Sequence, residues 1–160
     1  MGCIYRNRRL TVMPLLFFLI WPQACRKVLD ETVLIEQTLG RLSQSLEDLD
    51  QSRFNSLIIR DRETVLITPE GAWTGWSSVD SVMQVFFGLG ESYEILWKDL
   101  TVRLNSRGNT AGISARLAIV PIFTNPDSIH FRFCFSGLME KKYNRWQIYQ
   151  GHLSKQLGAD

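Results

Sequence analysis

The C-terminal stretch "WQIYQGHLS", Trp146 to Ser154, carries side chains suited to chemistry. Successive side chains of an extended segment point to opposite faces, so Gln150, His152 and Ser154 share one face. An imidazole there can give and take a proton near neutral pH. Two placements are open to His152: lining a hollow as an acid or base, or lying on a surface or dimer face. The first is the expectation carried forward, with Gln150 and Ser154 beside it as ligand contacts. Arg132 offers a planar guanidinium to an anionic ligand group and serves a structural ion pair equally well. Trp73, Trp76, Trp97 and Tyr149 are large side chains with one polar tip each, able to floor or rim a pocket or to pack a core.

The other candidate bases are His130, Asp61 and Asp99. Asp61 is flanked by Arg60 and Arg62, which reads as an exposed ion-pair cluster. Asp99 alternates with Trp97 and is a candidate face partner. Only two histidines occur, far apart and without clustered carboxylates, so no metal site is expected. "GLGES" ends a helix instead of opening one, which removes a phosphate loop. No cofactor is expected. Cys134 reads as a small buried hydrophobe, not as a nucleophile.

These side chains must be positioned by one domain, because 160 residues bury one sizeable core but not two. With 45% hydrophobic residues, 21% charged residues and a formal charge of +2, the composition is globular and gives no reason to expect nucleic acid. The basic excess is concentrated in the leader "MGCIYRNRRLTVMPLLFFLIWPQAC". Its apolar run, Leu10 to Trp21, is shorter than the ~20 apolar residues of a spanning helix and is punctuated by Pro14 and Pro22. Residues 1–25 therefore read as an export signal, either of the lipoprotein type with lipidation at Cys25 or simply cleaved. The protein is expected in the cell envelope or secreted, touching a membrane only through a lipid anchor.

Past the leader, "DETVLIEQTLGRLSQSLEDLDQ" has apolar residues at Val33, Leu34, Leu39, Leu42, Leu46 and Leu49, which predicts one long amphipathic helix with Asp30 as its N-cap. Asp50 or Ser52 starts a short second helix through Phe54, Leu57 and Ile58. "ETVLITP" is a strand, and a glycine-containing loop with two tryptophans follows it. Ser77 or Ser78 then caps a third helix with Val79, Val82, Met83, Phe86 and Phe87 on its apolar face. Four strands follow, "SYEILWKDLTVRLN", "TAGISARLAIVPIF", "IHFRFCFSGLMEK" and "RWQIYQGHLS", joined by the short turns "SRGN", "TNPDS" and "KYN". That order suits an antiparallel meander. The Phe131, Phe133 and Phe135 face should pack under the helices.

This order, with "TPEGAWTGWSSVDSVMQVFF" after a short strand and a closing strand carrying Trp146, Ile148, His152 and Ser154, resembles a SnoaL-like domain of the nuclear transport factor 2-like superfamily. The resemblance spans roughly Asp30 to Ser154, and it places the domain at residues 26–160. It implies an α+β fold: a cone-shaped, curved antiparallel sheet covered by three helices, with a ligand pocket at the wide end. It also places Arg132 at the Arg of an R-x-T pair in which Cys134 replaces the Thr, and Gln150 where many relatives carry a first His. The function it implies is binding of a small, partly apolar molecule, with catalysis not assured. The alternatives are an isomerase, dehydratase or cyclase using a cavity His as acid or base, and a dimeric interaction module. A homodimer is expected.

Overall fold

A computed structural model describes the backbone of residues 21–122 and 131–156 and the side chains from Asp30 onward within those ranges. The side chain of Cys25, the "TNPDS" turn and His130 lie outside the described residues. Helix α1 spans Trp21–Glu47, so Asp30 lies inside it and is not its cap. Its buried stripe is Ile35, Leu39 and Leu42, with Leu46 packed against the core, while Val33 and Leu34 face out. A spacing of three and four residues puts this stripe on one helical face. The helix ends with Leu49 at φ 55°, where Asp50 N–H donates to the Ser45 carbonyl at 2.8 Å. That is a Schellman stop, built on a residue that usually would be glycine. Asp50 then caps α2 (Gln51–Ser56) by accepting from Arg53 N–H.

The chain leaves α2 alongside the last strand, with Ile59 N–H on the Ile148 carbonyl and Ile148 N–H on the Leu57 carbonyl. Strand β1 (Val65–Thr68) continues along that strand, and β2 (Gly71–Thr74) folds back on β1. The predicted loop thus contains a short edge strand. Helix α3 (Trp76–Gly88) begins at Gly75, whose φ of 84° suits glycine, and no serine side chain caps it. β3 (Tyr93–Leu104), β4 (Thr110–Pro121), β5 (Phe131–Lys142) and β6 (Arg145–Lys155) follow as the sequence predicts.

These strands form one sheet in the order β2-β1-β6-β5-β4-β3. The meander β3 to β6 is antiparallel, but β1 runs parallel to β6, which makes the sheet mixed where an antiparallel one is expected from sequence. No hairpin joins β1 to β6: β2, α3 and β3 to β5 lie between them in the chain, and a parallel pair needs such a long connection.

Two irregularities curve the sheet and set which side chains face the helices. In β3 the register shifts between Lys98 and Thr101, with Asp99 at φ 52°. In β6 one extra residue, Tyr149, sits between Ile148, opposite Met139, and Gln150, opposite Leu138. A bulge bends its strand and reverses the in-out alternation beyond it. The core lies between α1, α2 and the sheet's inner face, with Ile113, Leu117, Phe135, Met139, Trp146 and Ile148 buried there.

One polar device fastens α1 to the β5–β6 hairpin. Glu31, only 7% exposed, accepts from Lys141 Nζ at 2.6 Å and from Trp146 Nε1 at 2.9 Å. A buried charge needs such partners.

Candidate functional site

A cavity of about 280 Å³ lies between the inner face of the sheet and helices α1 and α3. α1 contributes Leu42, Ser43 and Leu46, and α3 contributes Val79, Met83 and Phe86. Leu117 and Ile119 of β4, Phe133 and Phe135 of β5, and Gly151 and Leu153 of β6 form the sheet side. Leu66 and Thr68 of β1 and Ile95 and Trp97 of β3 close the two flanks. Strands separated by β6, β5 and β4 therefore reach the same hollow, which is what curvature of the sheet accomplishes.

The floor depends on two glycines. A Cβ on Gly137 would stand 2.8 Å from Phe135 Cζ and 2.9 Å from the Gln150 carbonyl oxygen, and a Cβ on Gly151 would touch Phe135 Cε2 at 3.7 Å. The Phe135 ring lies over both, and Trp97 meets it edge-on with centroids 5.3 Å apart. Aromatic pairs favour that arrangement.

The polar side chains of the lining are mostly engaged. Trp97 Nε1 donates to Ser43 Oγ at 2.7 Å. Thr64 donates to the Ile59 carbonyl, and Thr68 donates to Glu70 at 2.6 Å. Tyr93 stacks on Phe86 at 5.4 Å and donates to Glu91. Partial burial, then the hydrogen bond to Glu91 and its negative charge, push the Tyr93 hydroxyl up to about 12. Tyr149, turned inward by its bulge, lines the cavity with no hydrogen bond from its hydroxyl to any described residue.

Of the candidate catalytic and ligand-binding residues among the described ones, only Trp97 and Tyr149 line this cavity. Gln150, His152 and Ser154 do not. Trp146 and Ile148 point into the core, and unbroken alternation would carry the three polar residues in with them. The bulge at Tyr149 reverses the pattern, placing Gly151 and Leu153 inside and His152 on the outer sheet face. There His152 Nδ1 makes a long 3.5 Å contact with Ser136 Oγ, and Ser154 sits opposite Cys134. Gln150 borders a shallow outer trough with Ser114, Ser136 and Arg103. Cys134 is exposed, not buried, because it follows the outer parity of β5. Arg132 shares that parity and is exposed.

Trp76 packs against the core with Arg60 over its ring at 5.3 Å, and Trp73 covers Gly71 at the sheet edge. Asp99 pairs with Arg116 on the outer face, because its bulge separates it from Trp97. Asp61 accepts from Glu63 N–H at 2.9 Å and faces Lys142 at 3.7 Å, so its ionic partner is Lys142 instead of the adjacent arginines. No grouping of three or more His, Cys, Asp or Glu side chains able to hold a metal ion occurs among the described residues. No helix among them is long and apolar enough to cross a membrane.

Sequence reasoning passed over Ser43. The signal was present: Leu39, Leu42 and Leu46 mark the buried stripe of α1, and a serine at position 43 interrupts it.

Comparison with known proteins bears on the whole architecture. A family model for the SnoaL-like domain matches residues 35–158. The chain belongs to the SnoaL-like family. Among solved structures, this SnoaL-like chain is similar to a candidate scytalone dehydratase from Novosphingobium aromaticivorans, with a TM-score of 0.72 and 14% identity over 83% of this chain and 89% of that one. It is similar to a candidate dehydratase of the nuclear transport factor 2-like family from Streptomyces avermitilis, with a TM-score of 0.71 and 13% identity over 81% and 98%. A nuclear transport factor 2-like superfamily protein from Salmonella enterica aligns with a TM-score of 0.66 and 20% identity over 82% and 96%. At these identities the likeness speaks for the fold alone. None of the curated proteins matches the SnoaL-like chain in sequence.

Proposed function

We propose that this SnoaL-like domain binds a small, largely apolar molecule in the cavity beneath α1 and α3. The observation that carries the reading is the hollow itself: about 280 Å³, walled by leucine, isoleucine, valine and phenylalanine side chains. Protein interiors are close-packed, and a hollow of this size forfeits dispersion contacts that an apolar guest restores. Concave, mostly apolar sites with a few placed polar groups are the usual form of small-molecule pockets. Two of the similar folds are candidate dehydratases, which adds weight to a small-molecule guest. A binding role is favoured over acid-base catalysis by His152, because that imidazole lies across the sheet from the hollow. The basic leader and Cys25 support export to the cell envelope, and the intact mass of the membrane-bound protein checks lipidation.

The binding test is a fluorescence titration with N-phenyl-1-naphthylamine, a neutral apolar fluorophore. Wild-type protein should bind it saturably, and Leu153→Trp, which adds bulk to the cavity wall, should weaken binding about tenfold or more. Equal binding by both proteins at matched stability would remove the cavity as the site.

A further inference from the structure

Among the polar side chains that line the cavity, one pair has a readable hydrogen-bond direction that leaves a proton unspent. Five buried polar residues are found among the described residues: Glu31, Thr38, Ser43, Ser45 and Thr64. The hydroxyls of Thr38, Ser45 and Thr64 each spend their proton on a backbone carbonyl: Thr38 on Leu34 at 2.9 Å, Ser45 on Leu42 at 2.6 Å, and Thr64 on Ile59. Ser43 differs. It is 6% exposed, it lines the cavity, and its oxygen accepts from Trp97 Nε1 at 2.7 Å. An indole nitrogen is only a donor, so this contact leaves the serine's own proton unspent. Its oxygen is turned toward β3, and its proton has no acceptor among the described residues. A buried donor without an acceptor costs free energy until something accepts from it.

We infer that the Ser43–Trp97 pair is the recognition point of the cavity, and that it selects guests carrying a neutral hydrogen-bond acceptor, such as a ketone, ester or ether oxygen, on an otherwise apolar body. The inference rests on the proposed binding function. Trp97 fixes the serine oxygen and, by donating to it, strengthens the serine as a donor. An ionised guest oxygen is disfavoured, since no cationic side chain lines the cavity. Within the same hollow the Tyr149 hydroxyl is a second donor for a guest with two acceptors.

The experiment compares two guests of nearly equal shape, 2-acetylnaphthalene and 2-isopropenylnaphthalene, which differ by a carbonyl oxygen in place of a methylene carbon. Both are measured by displacement of N-phenyl-1-naphthylamine and, independently, by quenching of tryptophan fluorescence. In Ser43→Ala the ketone should lose about tenfold in affinity while the hydrocarbon changes less than twofold. A net hydrogen bond is worth roughly this much. Trp97→Phe, which releases the serine oxygen, should also weaken the ketone more than the hydrocarbon. Equal losses for the two guests, or no loss for the ketone in Ser43→Ala, would overturn the assignment and leave apolar binding intact. Failure of wild-type protein to bind either guest or the fluorophore would overturn both.

Discussion

Replacing Gly137 by alanine tests how tightly the cavity floor is built. The new methyl carbon would meet Phe135 Cζ at 2.8 Å and the Gln150 carbonyl oxygen at 2.9 Å, each below ordinary carbon contact distances. The ring can move and the strand backbone cannot move freely, because β5 and β6 remain hydrogen-bonded on both sides of this pair. Overpacking of this kind costs about 1–3 kcal/mol, and displacing Phe135 from its edge-on contact with Trp97 adds roughly 0.5–1.5 kcal/mol. A loss near 3 kcal/mol is therefore expected for Gly137→Ala, equivalent to a Tm lower by about 6–12 °C in a chain of this size. Phe135→Leu removes the ring from the conflict but leaves the carbonyl in place. The double variant Gly137→Ala, Phe135→Leu should then be more stable than the sum of the single losses by about 1 kcal/mol or more. Urea unfolding followed by far-ultraviolet circular dichroism measures all four proteins. A Gly137→Ala midpoint within 0.5 kcal/mol of wild type, or strict additivity in the cycle, would refute the packing described here.

Further outcomes follow from the same geometry. Glu31→Ala strips Lys141 and the Trp146 indole of a shared acceptor, and about 2–4 kcal/mol of stability should be lost, against about half that for Glu31→Gln, measured by the same unfolding curves. Leu49→Gly should stabilise by about 0.5–1 kcal/mol by relieving a left-handed backbone, seen as a higher urea midpoint. The β5–β6 turn holds Tyr143 at φ 49° and Asn144 at φ 61°, so replacing this pair by Asn-Gly should raise Tm by a few degrees. The folded-state value of about 12 for Tyr93 exceeds its unfolded value of about 10. Tyr93 thus contributes stability that is present below pH 10 and is lost as pH rises through 12. The absorbance difference at 295 nm between wild type and Tyr93→Phe should have its midpoint near 12. A midpoint near 10 would show that burial and Glu91 do not act on it.

The element order was legible in the sequence because long periodic segments announce themselves: Leu39, Leu42 and Leu46 of the α1 stripe, the apolar face of α3 and strands β3 to β6 are found where the sequence predicts them, whereas Val33, Leu34 and Phe131 are exposed and Leu49 lies past the end of α1. The facing of the candidate site was not. Its side chains depend on two single-residue register shifts, at Asp99 and at Tyr149, and alternation cannot reveal where it will be broken. Tyr149 and Asp99 are neither glycine nor proline, so they carry no compositional mark of a bulge. β2 was hidden for a related reason: Gly71 and Trp73 read as a loop, while their strand character comes from pairing with β1. Ser43 was missed because a lone hydroxyl on an apolar stripe has a local alternative, a bond to its own helix, and only Trp97, 54 residues away in sequence, shows that it bonds elsewhere.

The location of a bound apolar guest is best read from intermolecular nuclear Overhauser effects between N-phenyl-1-naphthylamine and methyl-labelled protein. Contacts to Leu42, Val79, Leu117 and Leu153 are expected, with none to the outer face. Contacts confined to Leu138 and the His152 ring, with the interior methyls silent, would contradict a guest held under the helices.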